Sequence, residues 1–482
     1  MGLAAFSLAV RLPLLDAPLD RDEGSLACFA LGLLDGRLPY RDFIDIKPPL
    51  LYIAYLPMAL AGLLDPVLFR LVAGLWNALS AILLWRLGAR LGGEKAGLLA
   101  GILFALFTAD PSASGFIISP EFLSHLPVIA GMLALYSALK KESSVMPVIA
   151  GILVGVSIGM KQQVIPLLGL ILLAPAFRGG YRVMAGWLAG AALAGLAVTG
   201  IMAAGGLVHP ALESAFWGAR HIMAALPASG IPSALGKIFG GAIATQCALW
   251  LAAAIGLTDR KAPGQTRLFI GSWLFLSAVG IAFGRRPYPY YLQLAIPPLA
   301  LAGALGLARL ARKGAGTAIT AARIAVAGAA LFSLMRLAPL AAVSREIRAR
   351  ALHPDNNFYE AEMAANWIRE NAPGDSPVFL AGSELEIAYL AKRKFAGRYP
   401  LPYLLSVKSP DSGKLRDEWM RGVRNDRPGV AVYCRSMKAW GDVYSDPATT
   451  GSIRKAALDY LEGPDWMLAR SIPPFDIYIK RR

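Results

Sequence analysis

The sequence predicts a polytopic α-helical membrane protein of about eleven spans, followed by a small extracytoplasmic α/β domain. Hydrophobic residues make up 56% of the 482 residues and charged residues only 17%, whereas soluble domains carry about 25% charged residues. The charge is also segregated, because long apolar runs fill the chain up to residue 345 and the rest resembles a soluble domain. We therefore predict a transmembrane domain at 1–345 and an α/β domain at 355–482.

The spans are predicted from runs of apolar residues. A helix of about 20 residues crosses a bilayer, and somewhat shorter runs do so where the flanking residues adapt. The first run is interpreted as a span and not as a signal peptide, because no small-residue cleavage site precedes the charged loop after it. The predicted spans are 1–17, 66–86, 96–109, 122–139, 147–160, 163–177, 183–204, 237–257, 267–283, 291–309 and 322–343.

A further apolar run, 49–64, is predicted to lie on the membrane surface. The basic connectors can all lie on the cytoplasmic side only if an even number of spans separates each from the next. This number is even only if 49–64 does not cross the membrane. The run 24–36 is predicted to lie along the same surface within a first outer loop at 18–65. The N-terminus is then inside and the α/β domain outside an inner or plasma membrane. The basic connectors are Arg86–Lys95, Lys140–Lys141, Arg178–Arg182, Asp259–Arg267 and Arg309–Lys313.

The net charge of +16 does not indicate a nucleic-acid partner. In a membrane protein, Lys and Arg collect in cytoplasmic loops and at lipid headgroups, which explains the excess. Cys28, Cys247 and Cys434 are odd in number and far apart, so they form no disulfide framework and no thiol metal site.

The C-terminal domain shows alternating strand and helix patterns. Residues 377–381 and 429–433 are short apolar runs typical of buried strands, and 476–479 is predicted as the last strand. Helices are predicted at 360–370 and 384–391. No phosphate-binding glycine loop, nucleophile elbow or metal-ligand cluster is present in this region.

An acidic loop follows the first span. Asp20, Asp22 and Glu23 are three carboxylates within four residues. One interpretation is a solvated helix cap, because Asp before an amphipathic run is a good N-cap. The other is a general base or a metal ligand, because a carboxylate at a low-dielectric edge can accept a proton from a hydroxyl.

Two lysines stand where the chain meets the membrane. Lys47 follows Asp45 and precedes Pro48, so it lies on a rigid corner. A lysine at this position either extends its ammonium to the lipid headgroups or is held there to bind a phosphate. Lys161 separates two apolar runs, and a charge at that depth is either a plain turn or a functional ion.

The remaining candidates also fall on the outer face. Glu121 begins a span, where an acid favours the helix dipole or serves as a second catalytic or substrate-binding carboxylate. An outer turn carries two arginines against the usual charge bias, followed by tyrosines, which is typical of an anion site or of an aromatic belt. These residues are Arg285, Arg286, Tyr290 and Tyr291.

Acidic and cationic groups on one membrane face suit transfer from a lipid phosphate. Cations would neutralise the leaving phosphate, and a carboxylate would deprotonate an acceptor hydroxyl.

The order of these motifs resembles the GT-C superfamily of membrane glycosyltransferases. The motifs are DRDEG, then LLDGRLPYRDFIDIKPPLLY, then Glu121, then RRPYPYY, and together they cover about residues 1–310. The branch that they resemble contains bacterial relatives of the protein O-mannosyltransferases and the lipid A aminoarabinose transferases. In that branch many members have His before the tyrosine of the late motif, where this chain has Pro289 or Tyr290.

The resemblance implies a fold, a reaction and a site. It implies the GT-C fold and inverting transfer from a polyprenyl-phosphate sugar to an extracytoplasmic protein, lipid A or other glycolipid acceptor. Asp22 would be the base, with Asp20 and Asp45 supporting it, and Lys47 and Lys161 would bind the donor phosphate with the arginines and tyrosines of the late motif. No nucleotide cofactor is implied, and the sequence shows no dedicated site for a divalent cation.

Two other classes remain open from the sequence. A lipid-linked-sugar transporter or flippase also places charges in spans, but it usually shows paired broken helices in both halves. A non-catalytic scaffold presenting the C-terminal domain needs no acidic loop.

Overall fold

The computed structural model describes residues 1–141, 143–225, 231–284, 288–311, 317–441 and 445–481. Helices dominate the part before residue 377. They are α1 Gly2–Ala9, α2 Arg21–Leu34, α3 Leu50–Leu64, α4 Pro66–Gly92, α5 Glu94–Phe107, α6 Pro120–Lys141, α7 Met146–Ile158, α8 Gly180–Ala204, α9 Val208–Ala225, α10 Ile231–Thr245, α11 Cys247–Leu257, α12 Gly264–Phe283, α13 Ile296–Leu310, α14 Thr317–Ala342, α15 Arg345–Leu352 and α16 Phe358–Asn371.

The remaining elements follow α16. They are strand β1 Val378–Ala381, helices α17 Leu385–Leu390 and α18 Ser412–Asn425, strand β2 Val430–Cys434, helix α19 Pro447–Leu461, and strands β3 Trp466–Ile472 and β4 Phe475–Lys480. A 3₁₀ helix of 15 residues occurs at Gln162–Ala176. Shorter 3₁₀ helices occur at Leu12–Leu14, Pro111–Ala113, Pro289–Ala295, Pro402–Ser406 and Met437–Ala439.

Five helical segments in the described ranges are long and apolar enough to cross a membrane. A sixth span results if α10 and α11, which are bent at Gln246, form one. The predicted span at 237–257 falls on these two helices, and the total of about eleven spans stays a prediction. The five segments are Pro66–Gly92, Pro120–Lys140, Gly180–Ala204, Gly264–Phe283 and Pro289–Leu310.

The apolar run at 49–64 forms a helix of its own, α3. Asp65 ends it and caps α4, since its carboxylate accepts a 2.7 Å hydrogen bond from Val67 N, and Pro66 occupies the first helical position. The two helices are thus separated by a cap and a proline, and α3 can run in a direction different from that of the long helix α4.

The apolar helices pack closely through small residues. Gly256 on α11 and Gly306 on α13 face each other, and a Cβ atom on either would overlap the backbone of the other helix. Small residues at such a crossing let two backbones approach, as is usual between membrane helices. One large buried cluster, which includes Trp187 and Trp273, lies among these helices.

The C-terminal region contains a four-stranded sheet in the order β1-β2-β4-β3. β1 and β2 are parallel, with Val378 opposite Val430, and β4 is antiparallel to both β2 and β3. The predicted strands and the helices at 360–370 and 384–391 are confirmed. Strand β3 and helices α15, α18 and α19 are elements that the sequence reasoning missed.

The first outer loop and the C-terminal region share one hydrophobic core. Phe29 and Phe43 from the loop stack at 4.4 Å between ring centroids, and both meet Phe395 edge-on. Tyr389 on α17 donates a 2.7 Å hydrogen bond to Ala59 O on α3. The α/β region therefore rests directly on the loop that carries the acidic residues.

Candidate active site

The acidic loop is built as a helix cap. Asp20 is the N-cap of α2, and its carboxylate accepts a 2.7 Å hydrogen bond from Glu23 N, while Asp20 N donates to the Glu23 carboxylate at 3.0 Å. This reciprocal pair is a capping box, which fixes the first turn of the helix. Asp22 lies between the two capping residues, and its own side chain is left for other contacts.

Glu23 is engaged by a buried arginine. Its side chain is fully buried and makes a two-pronged ion pair with Arg70 of α4, in which Nη2 donates to Oε2 at 2.7 Å. Ile118 N donates to the same carboxylate at 2.8 Å. Glu23 thus ties α2 to α4 and to the segment before α6, and its carboxylate does not line the central cavity described below.

Lys47 stands between two carboxylates. Its ammonium lies 3.3 Å from Asp22 and 3.5 Å from Asp45. Tyr40 donates a 2.7 Å hydrogen bond to Lys47 O and so fixes the backbone of this corner. Tyr52 donates to the buried Asp45 carboxylate at 3.1 Å. Lys47 is therefore paired with one fully buried carboxylate, that of Asp45. Its other partner, Asp22, has a side chain that is 35% exposed.

Lys161 is held by Glu121. The ammonium lies 2.8 Å from the Glu121 carboxylate, which is fully buried in the first turn of α6. The same ammonium lies 5.1 Å from the ring centroid of Tyr291, within the range of a cation–π contact. Glu121 supports the lysine from behind, and its carboxylate does not line the cavity.

Asp22, Lys47 and Lys161 open into one cavity of about 320 Å³, here called the central cavity. Its walls come from the first outer loop, from the segments around Lys161 and Tyr290, and from the C-terminal region. The residues that line it are Asp20, Arg21, Asp22, Ile46, Lys47, Ile117, Lys161, Gln162, Gln163, Gly284, Tyr288, Tyr290, Tyr291, His353, Asn356, Phe358, Tyr403, Lys438 and Gly441.

The charges in this cavity keep its exposed carboxylate ionised. Burial alone would raise the pKa of Asp22, but the Lys47 ammonium, together with Lys161 and Arg21, lowers that pKa below its usual range. Burial would lower the pKa of Lys47, and the carboxylates of Asp45 and Asp22 raise it instead. For Asp20, burial and the neighbouring Glu23 raise the pKa. Asp22 is therefore held as an ionised carboxylate beside the Lys47 ammonium.

The structure brings most of the predicted site residues together. Asp20, Asp22, Lys47 and Lys161 line the central cavity with Tyr290 and Tyr291. Glu23, Asp45 and Glu121 lie behind it and hold cations. Arg285 and Arg286 lie outside the described residues.

Some residues at or behind the cavity were not identified from the sequence. Arg70 interrupts a predicted span, and an arginine in such a place usually has a task, so this signal was available. Tyr403 and Lys438 reach the cavity from the C-terminal region, and His353 reaches it from the end of α15. No local motif marks them, because only the packing of that region on the first outer loop brings them there.

In the part of the chain that the structure describes, no group of three or more His, Cys, Asp or Glu side chains is arranged to hold a metal ion.

The resemblance to the GT-C membrane glycosyltransferases that the sequence motifs indicate is supported by a family profile and by the folds of solved structures. Residues 47–202, about a third of the chain, match the profile of the dolichyl-phosphate-mannose-protein mannosyltransferase family. No curated protein sequence matches the chain.

Solved structures match over nearly the whole chain. ArnT from Cupriavidus metallidurans bound to undecaprenyl phosphate superposes with a TM-score of 0.62 and 15% identity, covering 99% of this chain and 97% of that one. Its apo state gives 0.64 and 16%, covering 99% and 96%. The archaeal oligosaccharyltransferase AglB from Archaeoglobus fulgidus, in complex with an inhibitory peptide and a dolichol-phosphate, gives 0.53 and 11%, covering 91% and 69%. At these identities the likeness establishes the fold.

Proposed function

We propose that the protein is a membrane glycosyltransferase that moves a sugar from a polyprenyl phosphate to a hydroxyl group of an extracytoplasmic acceptor. The observation that carries this proposal is the central cavity, in which one ionised carboxylate, Asp22, faces two lysines, Lys47 and Lys161. The match to the mannosyltransferase profile begins at Lys47. A structural relative, ArnT, has been solved with undecaprenyl phosphate bound.

The two lysines suit the donor phosphate. Lys47 contacts its carboxylates at 3.3 and 3.5 Å, which is longer than the 2.7–2.9 Å of a strong charged hydrogen bond. An ammonium has three donors, so Lys47 can donate to a phosphate oxygen while Asp45 keeps it in place. Lys161 is anchored more tightly, with its ammonium 2.8 Å from the Glu121 carboxylate, and its remaining donors can likewise reach a phosphate oxygen. We infer that Arg285 and Arg286 add to this phosphate site.

The reaction then needs one proton acceptor. The acceptor hydroxyl oxygen attacks the anomeric carbon, the bond from that carbon to the phosphate oxygen breaks, and the hydroxyl proton passes to Asp22. The polyprenyl phosphate leaves with the electron pair and is stabilised by the lysines. Attack opposite to the leaving group inverts the anomeric centre. The acceptor, a protein, lipid A or another glycolipid, would enter between the C-terminal region and the first outer loop.

The topology belongs to the same proposal. About eleven spans, a cytoplasmic N-terminus and an extracytoplasmic α/β region at 355–482 would put the central cavity at the outer face of an inner or plasma membrane.

The test compares two carboxylates of the same loop. In Asp22→Asn the proton acceptor is lost, and we expect turnover to fall by about 10²–10⁴-fold. Asp20→Asn is the matched control, because asparagine caps a helix as well as aspartate does, and it should keep most of the activity. Transfer of label from a polyprenyl-phosphate-linked sugar is measured in membranes from a strain that lacks the chromosomal copy.

Binding of labelled polyprenyl phosphate provides the second measurement. Asp22→Asn should bind it as the wild type does, because the lysines remain. A folded Asp22→Asn variant with wild-type turnover would refute the assignment of the base.

A further inference from the structure

A second cavity, of about 400 Å³, lies at the end of α2 and along α3. Its floor is apolar and consists of Leu31 and Leu34 on α2 and Leu60 and Leu63 on α3. Its rim is cationic and consists of Arg37 and the turn after α17. This cavity is here called the lateral groove, and it shares no lining residue with the central cavity.

The floor continues into an exposed apolar stripe. Ile53, Leu60 and Leu64 on α3 are 59%, 44% and 81% exposed, and Leu34 at the end of α2 is 60% exposed. Positions 53, 60 and 64 fall on one face of a helix. A helix with an apolar face left uncovered by the protein, beside a charged edge, is the arrangement of a helix that lies in a membrane surface.

The rim presents three consecutive cations, Lys392, Arg393 and Lys394. Lys392 is exposed and has a left-handed backbone with φ of +55°. This is the position after a helix where glycine is usual, so a lysine there carries a conformational cost. No ion pair or hydrogen bond of its ammonium is seen among the described residues.

The other two rim cations are only partly engaged. Arg393 donates through Nη2 to Ala372 O at 2.9 Å, and its buried Nη1 makes no hydrogen bond within the described chain. Lys394 pairs with Asp35 at 3.0 Å, but both side chains are about half exposed or more, and exposed pairs of this kind are weak. The rim therefore keeps an excess of positive charge.

The rim is fixed relative to the floor. Tyr389, three residues before Lys392, donates its hydroxyl to Ala59 O at 2.7 Å and so joins α17 to α3. The ring of Phe69 packs against the ring of Tyr389, with centroids 6.3 Å apart. Cations and leucines thus stay side by side at a set separation.

We propose that the lateral groove binds an anionic phospholipid of the surrounding membrane. The acyl chains lie over the leucine floor, and the phosphate sits between Lys392, Arg393 and Lys394. The apolar floor disfavours a free phosphate ion, and the cationic rim disfavours a zwitterionic headgroup relative to an anionic one. This site does not depend on the proposed transferase reaction.

The test measures lipid binding to the purified full-length protein by native mass spectrometry. Phosphatidylglycerol is compared with phosphatidylcholine, and the variant is Lys392→Gly with Lys394→Gln. Each basic residue near an anionic surface contributes enough that removing two should weaken phosphatidylglycerol binding by about 30-fold. Lys414→Gln with Lys455→Gln removes two exposed lysines from α18 and α19 and should leave binding unchanged.

The first variant separates binding from folding. Glycine relieves the left-handed backbone at position 392, so the thermal midpoint should stay at or above the wild-type value while phosphatidylglycerol is lost. Equal affinity for the two lipids, or unchanged phosphatidylglycerol affinity in the variant, would overturn the proposal. So would competition by glycerol phosphate or by undecaprenyl phosphate at the affinity of phosphatidylglycerol, since these probes lack the paired acyl chains or the glycerol headgroup.

Discussion

At the scale of single residues, the three carboxylates of the acidic loop have three different tasks. Asp20 caps the helix, Glu23 is paired with Arg70 in the interior, and Asp22 faces Lys47 in the central cavity. The sequence predicts both a helix cap and a proton acceptor for this loop, and the structure contains the cap beside the exposed carboxylate. The two interpretations apply to different residues and do not exclude each other.

The pair of Glu23 and Arg70 leads to a stability prediction. Arg70→Met would leave a fully buried carboxylate without its cation, a change that costs about 3–5 kcal/mol. We expect a large fall in the thermal midpoint of the full-length protein, and a partial recovery in the double variant with Glu23→Gln, which removes both charges. Arg350→Met breaks ion pairs of an exposed arginine with Glu346 and Glu360 and should lower the midpoint far less. Equal effects of Arg70→Met and Arg350→Met would contradict the structural role of Glu23.

Asp22 and Lys47 lead to a prediction about pH. Asp22 must be deprotonated to accept a proton, so activity falls as the pH drops through its pKa. The Lys47 ammonium holds that pKa below the usual 3.8, and the acid limb of the wild-type profile of kcat/KM should therefore lie below about pH 4. In Lys47→Met, burial still raises the pKa of Asp22, but the main charge that lowers this pKa is gone. The acid limb should therefore move to higher pH.

Lys161→Met is the control for this shift. Lys161 also lowers the pKa of Asp22, but less than Lys47 does, and it is paired with Glu121. The acid limb of Lys161→Met should move less than that of Lys47→Met, although both variants lose affinity for the donor. An acid limb that stays in place in Lys47→Met would show that Asp22 is not the group that titrates.

At the scale of elements, the close packing of α2 on α17 positions the acidic loop. A Cβ atom on Gly24 would overlap the backbone of Glu386, so these two helices touch backbone to backbone. In the same contact, Arg21 on α2 pairs with Glu384 at 2.6 Å. The C-terminal region thus holds the first turn of α2, including Asp22, from the side opposite to α4.

Gly24→Ala tests this contact. The added methyl group has no room against Glu386, and α17 must move away, so we expect both a lower thermal midpoint and a lower kcat. Gly195→Ala on α8 is the matched control, because nothing lies within 4 Å of the position of its Cβ and alanine favours a helix. Wild-type kcat in a folded Gly24→Ala variant would show that the contact does not position the loop.

The elements also show how far sequence patterns reach. Apolar runs such as 66–86 and 183–204 predict α4 and α8 within a few residues, because burial in lipid or protein requires a continuous apolar stretch. The helices α18 and α19 were missed, since charged residues cover much of their surface and only one side is buried. Lys47 and Asp22 are 25 residues apart in the sequence, and only the fold brings them to 3.3 Å.

At the scale of the whole molecule, the division at residue 355 is a boundary of composition and not of packing. Buried side chains of α17, including Leu385 and Ile387, belong to the same cluster as Leu26 and Phe29 of α2. Charge patterns separate a membrane part from a soluble part, but they do not record which surfaces of the two parts are apolar and complementary. The joint core encloses one side of the central cavity and forms one side of the lateral groove.

This joint core predicts that residues 355–482 do not fold as an independent unit. Expressed alone, this segment would expose the apolar face of α17 and leave Phe395 without its partners Phe29 and Phe43. An exposed apolar patch of this kind promotes association, so we expect binding of a hydrophobic dye and no cooperative thermal transition. The full-length protein should show low dye binding and a sharp transition.

Adding the charge-preserving changes Leu385→Ser and Tyr389→Ser to the isolated segment should reduce dye binding, because these two side chains belong to the face that α2 and α3 normally cover. A cooperative transition in the unmodified segment would contradict the joint core and would make the C-terminal region a separate domain joined to the membrane part by contacts alone.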